Sequence, residues 1–294
     1  MTSNESQLPS TLPVAEVAYS PESAVHHPVV LIRRMVHESW RFRELVRRVV
    51  VRNLRAQYRQ SLLGYLWAFI PSIATAVGFS LAKDAQVIRV GETPIPYLVY
   101  VMVGTVLWQT FIDALNGPVD ALRDFKGILS HIYLPPEIVV LSQMGEVLVE
   151  FLIKLLLLVI VFVLYGVQPG VAVVFAPILL ALLIIQATVI GLILAPLGTL
   201  YHDILKGIPV VIGFWFLLTP VVYPMPQAGG IFSFIVRTNP ATHFLVAARE
   251  AMTGGVITNG WFLAGLGAAS VIAFFLALIA FRVSIPFVVE RAGE

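Results

Sequence analysis

Hydrophobic residues in this chain gather into long runs separated by short polar breaks, unlike the alternation of a half-buried strand or the one-sided stripe of a soluble helix. A helix needs about 20 predominantly apolar residues to cross about 30 Å of hydrocarbon. Runs of that kind occupy residues 62–82, 97–115, 138–165, 171–200, 208–223 and 261–282. Backbone groups within lipid must be paired internally, so each run is read as a transmembrane helix, and the fold class is an all-α integral membrane protein with six spans. The fifth run is the shortest, and Pro209, Pro220, Pro224 and Pro226 interrupt helix formation there.

Two stretches outside these runs are also patterned. Arg41, Arg48, Arg52, Arg55 and Arg59 share one helical face, while Phe42, Leu45, Val46, Val49 and Val50 fall on the opposite one. This predicts an amphipathic interface helix lying in the headgroup plane; the plainer alternative is a solvated basic helix. Residues 224–260 are too long for a tight turn and too apolar for a solvated loop. They are expected to form a re-entrant pair of short helices around Asn239-Pro240, which requires protein or a water-filled cavity beside them, or else an amphipathic flap on the outer surface. The expected organisation is a flexible cytoplasmic tail at 1–30, the interface-helix region at 31–60, the membrane domain at 61–284 and a cytoplasmic tail at 285–294.

Composition agrees with lipid as the main solvent: 58% of residues are hydrophobic and 12% charged, against about 45–50% and about 25% in soluble domains. The 19 Lys and Arg residues orient the chain. With both termini cytoplasmic, the cations from Arg33 to Arg59 and Arg123, Lys126, Lys206, Arg282 and Arg291 lie inside, leaving Lys83, Arg89, Arg237 and Arg249 outside. The net charge of +2 is small and its cations sit at membrane-facing ends, so anionic lipid is the expected neighbour and nucleic acid is not. The absence of Cys excludes disulfides and thiolate metal sites.

Signatures of soluble enzymes are missing, and neither a catalytic nor a metal site is expected. None of Lys83, Lys126, Lys154 and Lys206 follows a glycine, so no phosphate-binding loop of the Gly-x-x-x-x-Gly-Lys-Ser/Thr kind is present. His26-His27 sit in the loose tail and are read as incidental. The remaining candidates are physical. Glu146, Glu150 and Lys154 lie on one face of the third run, able to pair among themselves or to face a conduction path. Asp113, Asn116 and Asp120 give the second run a polar end explained by snorkelling. Tyr97, Tyr100, Trp108 and Phe111 on the second run and Phe214, Trp215 and Tyr223 on the fifth belong to an interfacial belt or core, or line a pore whose aromatic faces suit sugars. Residues 122–134, with Arg123, Asp124, Phe125, Lys126, Ile128 and Leu129 before Pro135-Pro136, predict a short cytoplasmic helix that is either a connector or a docking knob.

Four stretches in order resemble the membrane subunit of polysaccharide ABC exporters, the family that moves lipid-linked O-antigen, capsule or teichoic acid chains across bacterial plasma membranes. Residues 55–67 (RAQYRQSLLGYLW) look like its approach to the first span, Tyr201-His202-Asp203-Ile204 like its turn between the fourth and fifth spans, and residues 219–224 (TPVVYP) like the outer end of the fifth. Asn239-Pro240-Ala241-Thr242-His243 looks like the start of its second re-entrant helix. The resemblance covers roughly residues 38–284 and departs from the pattern at His202, where the family often has Arg. It implies a homodimer in the bacterial inner membrane, bound to two copies of a separate ATPase subunit that holds ATP and Mg. This chain then carries no cofactor, is not itself an enzyme, and inserts the 122–134 helix into its partner. Rival readings are a drug or small-lipid ABC exporter permease, an ATP-independent secondary transporter resting on the Glu146, Glu150 and Lys154 stripe, and a membrane-embedded glycosyl-lipid enzyme using Asp113, Asp120 and Asp203.

Overall fold

The computed structural model describes residues 37, 40–59, 64–129, 136–226 and 229–290; the tail at 1–30 lies outside them. The hydrophobic runs are helices, and no strand occurs among the described residues. Helix α1 (Arg43–Arg59) precedes a 3-10 turn (Gly64–Ala68) and α2 (Ile70–Asp84). There follow α3 (Tyr97–Leu129), α4 (Pro136–Tyr165), a second 3-10 turn (Val171–Phe175), α5 (Ala176–Leu200), α6 (His202–Leu218), α7 (Ile231–Thr238), α8 (Pro240–Met252) and α9 (Gly260–Glu290).

Five segments are long and apolar enough to cross a membrane: Leu66–Asp84, Tyr97–Arg123, Glu137–Tyr165, Val171–Leu200 and Gly260–Ile285. The stretch expected as a further span at 208–223 differs. There α6 begins at His202, keeps Pro209 inside it and stops at Leu218 after 17 residues, about 25 Å at a rise of 1.5 Å per residue. It stops because Thr219 precedes Pro220, whose ring disfavours helical geometry at the residue before it. Thr219 is accordingly extended, with φ −109° and ψ 133°. A second difference concerns residues 122–134, expected as a separate helix. The described part is the continuation of α3 through Leu129, with Pro118 tolerated inside.

Helix α3 is the centre of the molecule, touching α2, α4, α5 and α8. Its apolar stretch is 78% buried, against 11% for that of α2. Two glycines let backbones meet there. A Cβ at Gly104 would run into the Val221 carbonyl oxygen, and one at Gly191 into the Leu115 carbonyl oxygen beside the Pro118 ring. Gly104→Ala is therefore expected to lower stability by about 1–3 kcal/mol through overpacking, seen as a lower melting temperature of the detergent-solubilised protein. Gly78→Ala, where no atom stands near the added carbon, should melt like the unaltered chain.

Around this centre, α5 packs against α9, α8 and α6. Apolar side chains stay exposed on the outside, among them Leu156 and Val163 on α4, Phe214 on α6 and Leu276 on α9, as surfaces facing lipid or a second subunit require. Helix α1 lies against α4, burying Val50 and Leu54 while Arg47, Arg48, Arg52 and Arg55 remain exposed. Its two faces follow the amphipathic spacing of the sequence.

Candidate functional site

The chain unwinds between α6 and α7, and polar chemistry concentrates at that break. A non-helical turn inside an apolar bundle leaves carbonyl groups without helical partners, and each must find a donor elsewhere. Helices α3 and α8 supply them. The Asn239 amide donates to the Leu218 carbonyl at 3.3 Å, and the Arg249 guanidinium to the Pro220 and Val221 carbonyls at 2.9 and 3.2 Å. The Tyr97 hydroxyl donates to the Val222 carbonyl at 2.9 Å and the Tyr100 hydroxyl to the Tyr223 carbonyl at 3.1 Å. Arg249 is buried, and its guanidinium also stacks 3.9 Å from the centre of the Tyr100 ring.

Asn239 ties this segment to its neighbours. Its side-chain oxygen caps α8 by accepting from the Ala241 N–H at 3.1 Å and accepts from the Trp215 indole N–H at 2.9 Å. Its amide nitrogen donates to the Thr219 hydroxyl at 2.8 Å. The pair of short helices expected around Asn239-Pro240 is present as α7 and α8, with α8 folded back against α5 and α3. Asn239→Ala removes a cap and two donor contacts at once and is expected to cost about 1–3 kcal/mol. Asn239→Asp, which keeps the cap acceptor, should fall between the two in a thermal melt.

The aromatic candidates divide. Trp108 and Phe111 stack at 5.4 Å and meet Trp215 edge-on at 6.2 and 5.3 Å, forming a cluster that Phe216 joins at 6.0 Å from Trp108. Trp108, Phe111, Tyr97 and Tyr100 are buried inside the chain, whereas Trp215 and Tyr223 are half-buried and Phe214 is 67% exposed. Phe214 therefore presents its ring to whatever surrounds the chain, with the cluster packed behind it.

The polar stripe on α4 is paired differently from its spacing. Lys154 is buried and forms a 2.8 Å ion pair with Asp113 of α3, not with Glu150 one turn away. Glu146 accepts from the Asn53 amide of α1 at 2.7 Å. The stripe thus fastens α1 and α3 to α4, with Asp113 half-buried against its partner. Asp120 does pair locally, with Arg123 at 3.1 Å.

Arg123 is exposed near the end of α3, and Asp124, Phe125, Lys126, Ile128 and Leu129 occupy its last turns; residues 130–135 lie outside the described residues. Where the chain resumes, Glu137 in the first turn of α4 meets Arg282 of α9 at 2.6 Å, both buried. Nothing in the sequence marks this pair, since its members stand 145 positions apart and each looks like an ordinary charge at the end of a span. Arg249, counted from the sequence only among the outer cations, carried a signal that could have found it: it interrupts the apolar stretch at 244–251. Arg47, Arg48, Arg52 and Arg55 of α1 line an open groove of about 640 Å³, with Arg41 exposed ahead of them and Arg59 closing the helix.

A non-helical turn clamped beside a buried arginine, a long central helix with Arg123 exposed near its end, and an amphipathic helix with exposed arginines lie along the chain. The O-antigen export system permease protein RfbA of Myxococcus xanthus is 26% identical over 246 residues, covering 83% of this chain and 94% of its own length. A protein of the same name from Klebsiella pneumoniae is 24% identical over 213 residues, covering 71% of this chain and 81% of its own length. The polysialic acid transport protein KpsM of Escherichia coli is 22% identical over 238 residues, covering 81% and 92%. Residues 44–253, from the start of α1 to the end of α8, match the ABC-2 type transporter family, and the chain belongs to that family.

Proposed function

We infer that this chain is the permease subunit of an ABC exporter that carries lipid-linked polysaccharide across the bacterial inner membrane, with both termini cytoplasmic. The observation that carries the reading is near full-length similarity to permeases of two polysaccharide systems, 94% and 92% of their own lengths, in a chain without a phosphate-binding loop of its own. Two copies form the path and two copies of a separate subunit bind ATP and Mg.

The division of labour follows from physics. Each unpaired hydroxyl of a glycan would cost kilocalories in hydrocarbon, so the polymer needs a polar or aromatic path. Phe214, exposed on α6 and adjacent in the chain to Trp215, offers aromatic surface for such a wall facing the second copy, with Tyr223 and the buried Trp108, Phe111, Tyr97 and Tyr100 as the further candidates. ATP binding draws the ATPase subunits together, and its binding energy supplies the difference between closed and open states. Residues Arg123 to Leu129, continuous with the buried α3, pass that motion to the bundle, while the basic face of α1 rests on anionic lipid.

Deleting the gene tests the reading. Loss of surface polysaccharide with its accumulation inside the cell, restored by the unaltered chain, is the expected result. Intact surface polysaccharide together with increased drug sensitivity would favour a small-molecule exporter instead. Phe214→Ala is expected to reduce export without loss of the assembled complex; normal export would remove Phe214 from the path.

A further inference from the structure

Between α1, the 3-10 turn after it, α2, α3 and α4 lies a cavity of about 400 Å³, within the range of about 300–1,000 Å³ for small-molecule sites. Its wall includes Gln57, Trp67, Gln109, Asp113, Glu150 and Lys154. A hollow lined by amides and charges is unusual in an apolar bundle, where such groups mark functional positions. These groups are oriented. Lys154 holds Asp113 at 2.8 Å, Ser72 donates to the Gln109 side-chain oxygen at 3.0 Å, and Gln57 faces Glu150. Trp67 is 54% exposed and offers its indole face at the edge.

The lining selects among ligands by its chemistry. Two carboxylates against one ammonium disfavour an anion, and Asp113 is already engaged by Lys154, which leaves little for a divalent cation. Amides and carboxylates suit hydroxyl groups, which donate and accept, and an aromatic face suits the apolar C–H face of a sugar ring. We propose that this cavity is a binding site for an uncharged sugar of the exported glycan, an inference that rests on the export reading above.

The full-length protein in nanodiscs of neutral phospholipid, titrated with radiolabelled prenyl diphosphate bearing one N-acetylglucosamine and with the same lipid lacking the sugar, tests the site. The unaltered chain should bind the sugar-bearing probe about tenfold more tightly. Trp67→Ala and Gln109→Ala should erase that preference, Trp67→Phe should keep most of it, and the sugar-free probe should bind every variant alike, which reports intact folding. Should Gln109→Ala fail to fold, the exposed Trp67 variants decide alone. Equal binding of both probes by the unaltered chain, or an unchanged preference in Trp67→Ala, overturns the site. The export reading falls separately, only if deleting the gene leaves surface polysaccharide intact.

Discussion

Replacing Arg249 with Ala is expected to cost the fold about 3–5 kcal/mol, because the Pro220 and Val221 carbonyls lose their shared donor and the vacated space leaves a cavity. Both carbonyls belong to a buried turn packed among helices, where water is not at hand to replace the guanidinium. Arg249→Lys should recover only part of the loss. An ammonium is a compact point donor, whereas the planar guanidinium reaches two carbonyls while stacking on the Tyr100 ring. The readout is the melting temperature and the monodisperse yield from detergent, with Arg237→Ala as the comparison. Arg237 is exposed and contacts the Pro226 carbonyl at 3.3 Å, so its loss should leave the melt nearly unchanged.

The buried pair Glu137–Arg282 should be about as costly to break. Removing one partner of a buried pair costs about 3–5 kcal/mol, whereas replacing both with apolar residues of similar size is often close to neutral. Glu137→Leu and Arg282→Met should therefore each destabilise strongly, and the double variant should melt above either single one. The double-mutant cycle isolates the pair. Its position gives the result a second use: Glu137 stands in the first turn of α4, just after the stretch assigned to coupling, so the folded double variant can be assayed for ATP-driven export.

Much of the architecture was written in apolar run length. The runs at 97, 138, 171 and 261 match helices because few other structures satisfy so many consecutive apolar residues. The run at 208 gave a helix but not its bounds, because its end is decided by Thr219 preceding Pro220 and helix continues back through Pro209 to His202. Run length also cannot tell which face of a membrane helix meets protein. Lipid and packed side chains are both apolar, so Trp108 and Phe214 look alike in sequence although one is buried in the cluster and the other exposed. Lys154 illustrates a third limit. Its spacing from Glu150 allows a pair along α4, but the acid that holds it is Asp113 on α3, and contacts between helices leave no periodic signal. Asn239 was legible as a helix start, while its contacts with Leu218, Thr219 and Trp215 depend on how α6 and α8 meet.

The central claim is that this permease is driven by a separate ATPase through the end of α3. The most direct test co-expresses the chain with candidate ABC ATPases from the same genome, purifies any complex and measures ATP hydrolysis, with and without alanine at Phe125, Lys126, Ile128 and Leu129. A stable complex whose hydrolysis depends on those four side chains is the predicted result. Failure of the chain to associate with any ATPase, or turnover indifferent to the four substitutions, would contradict it.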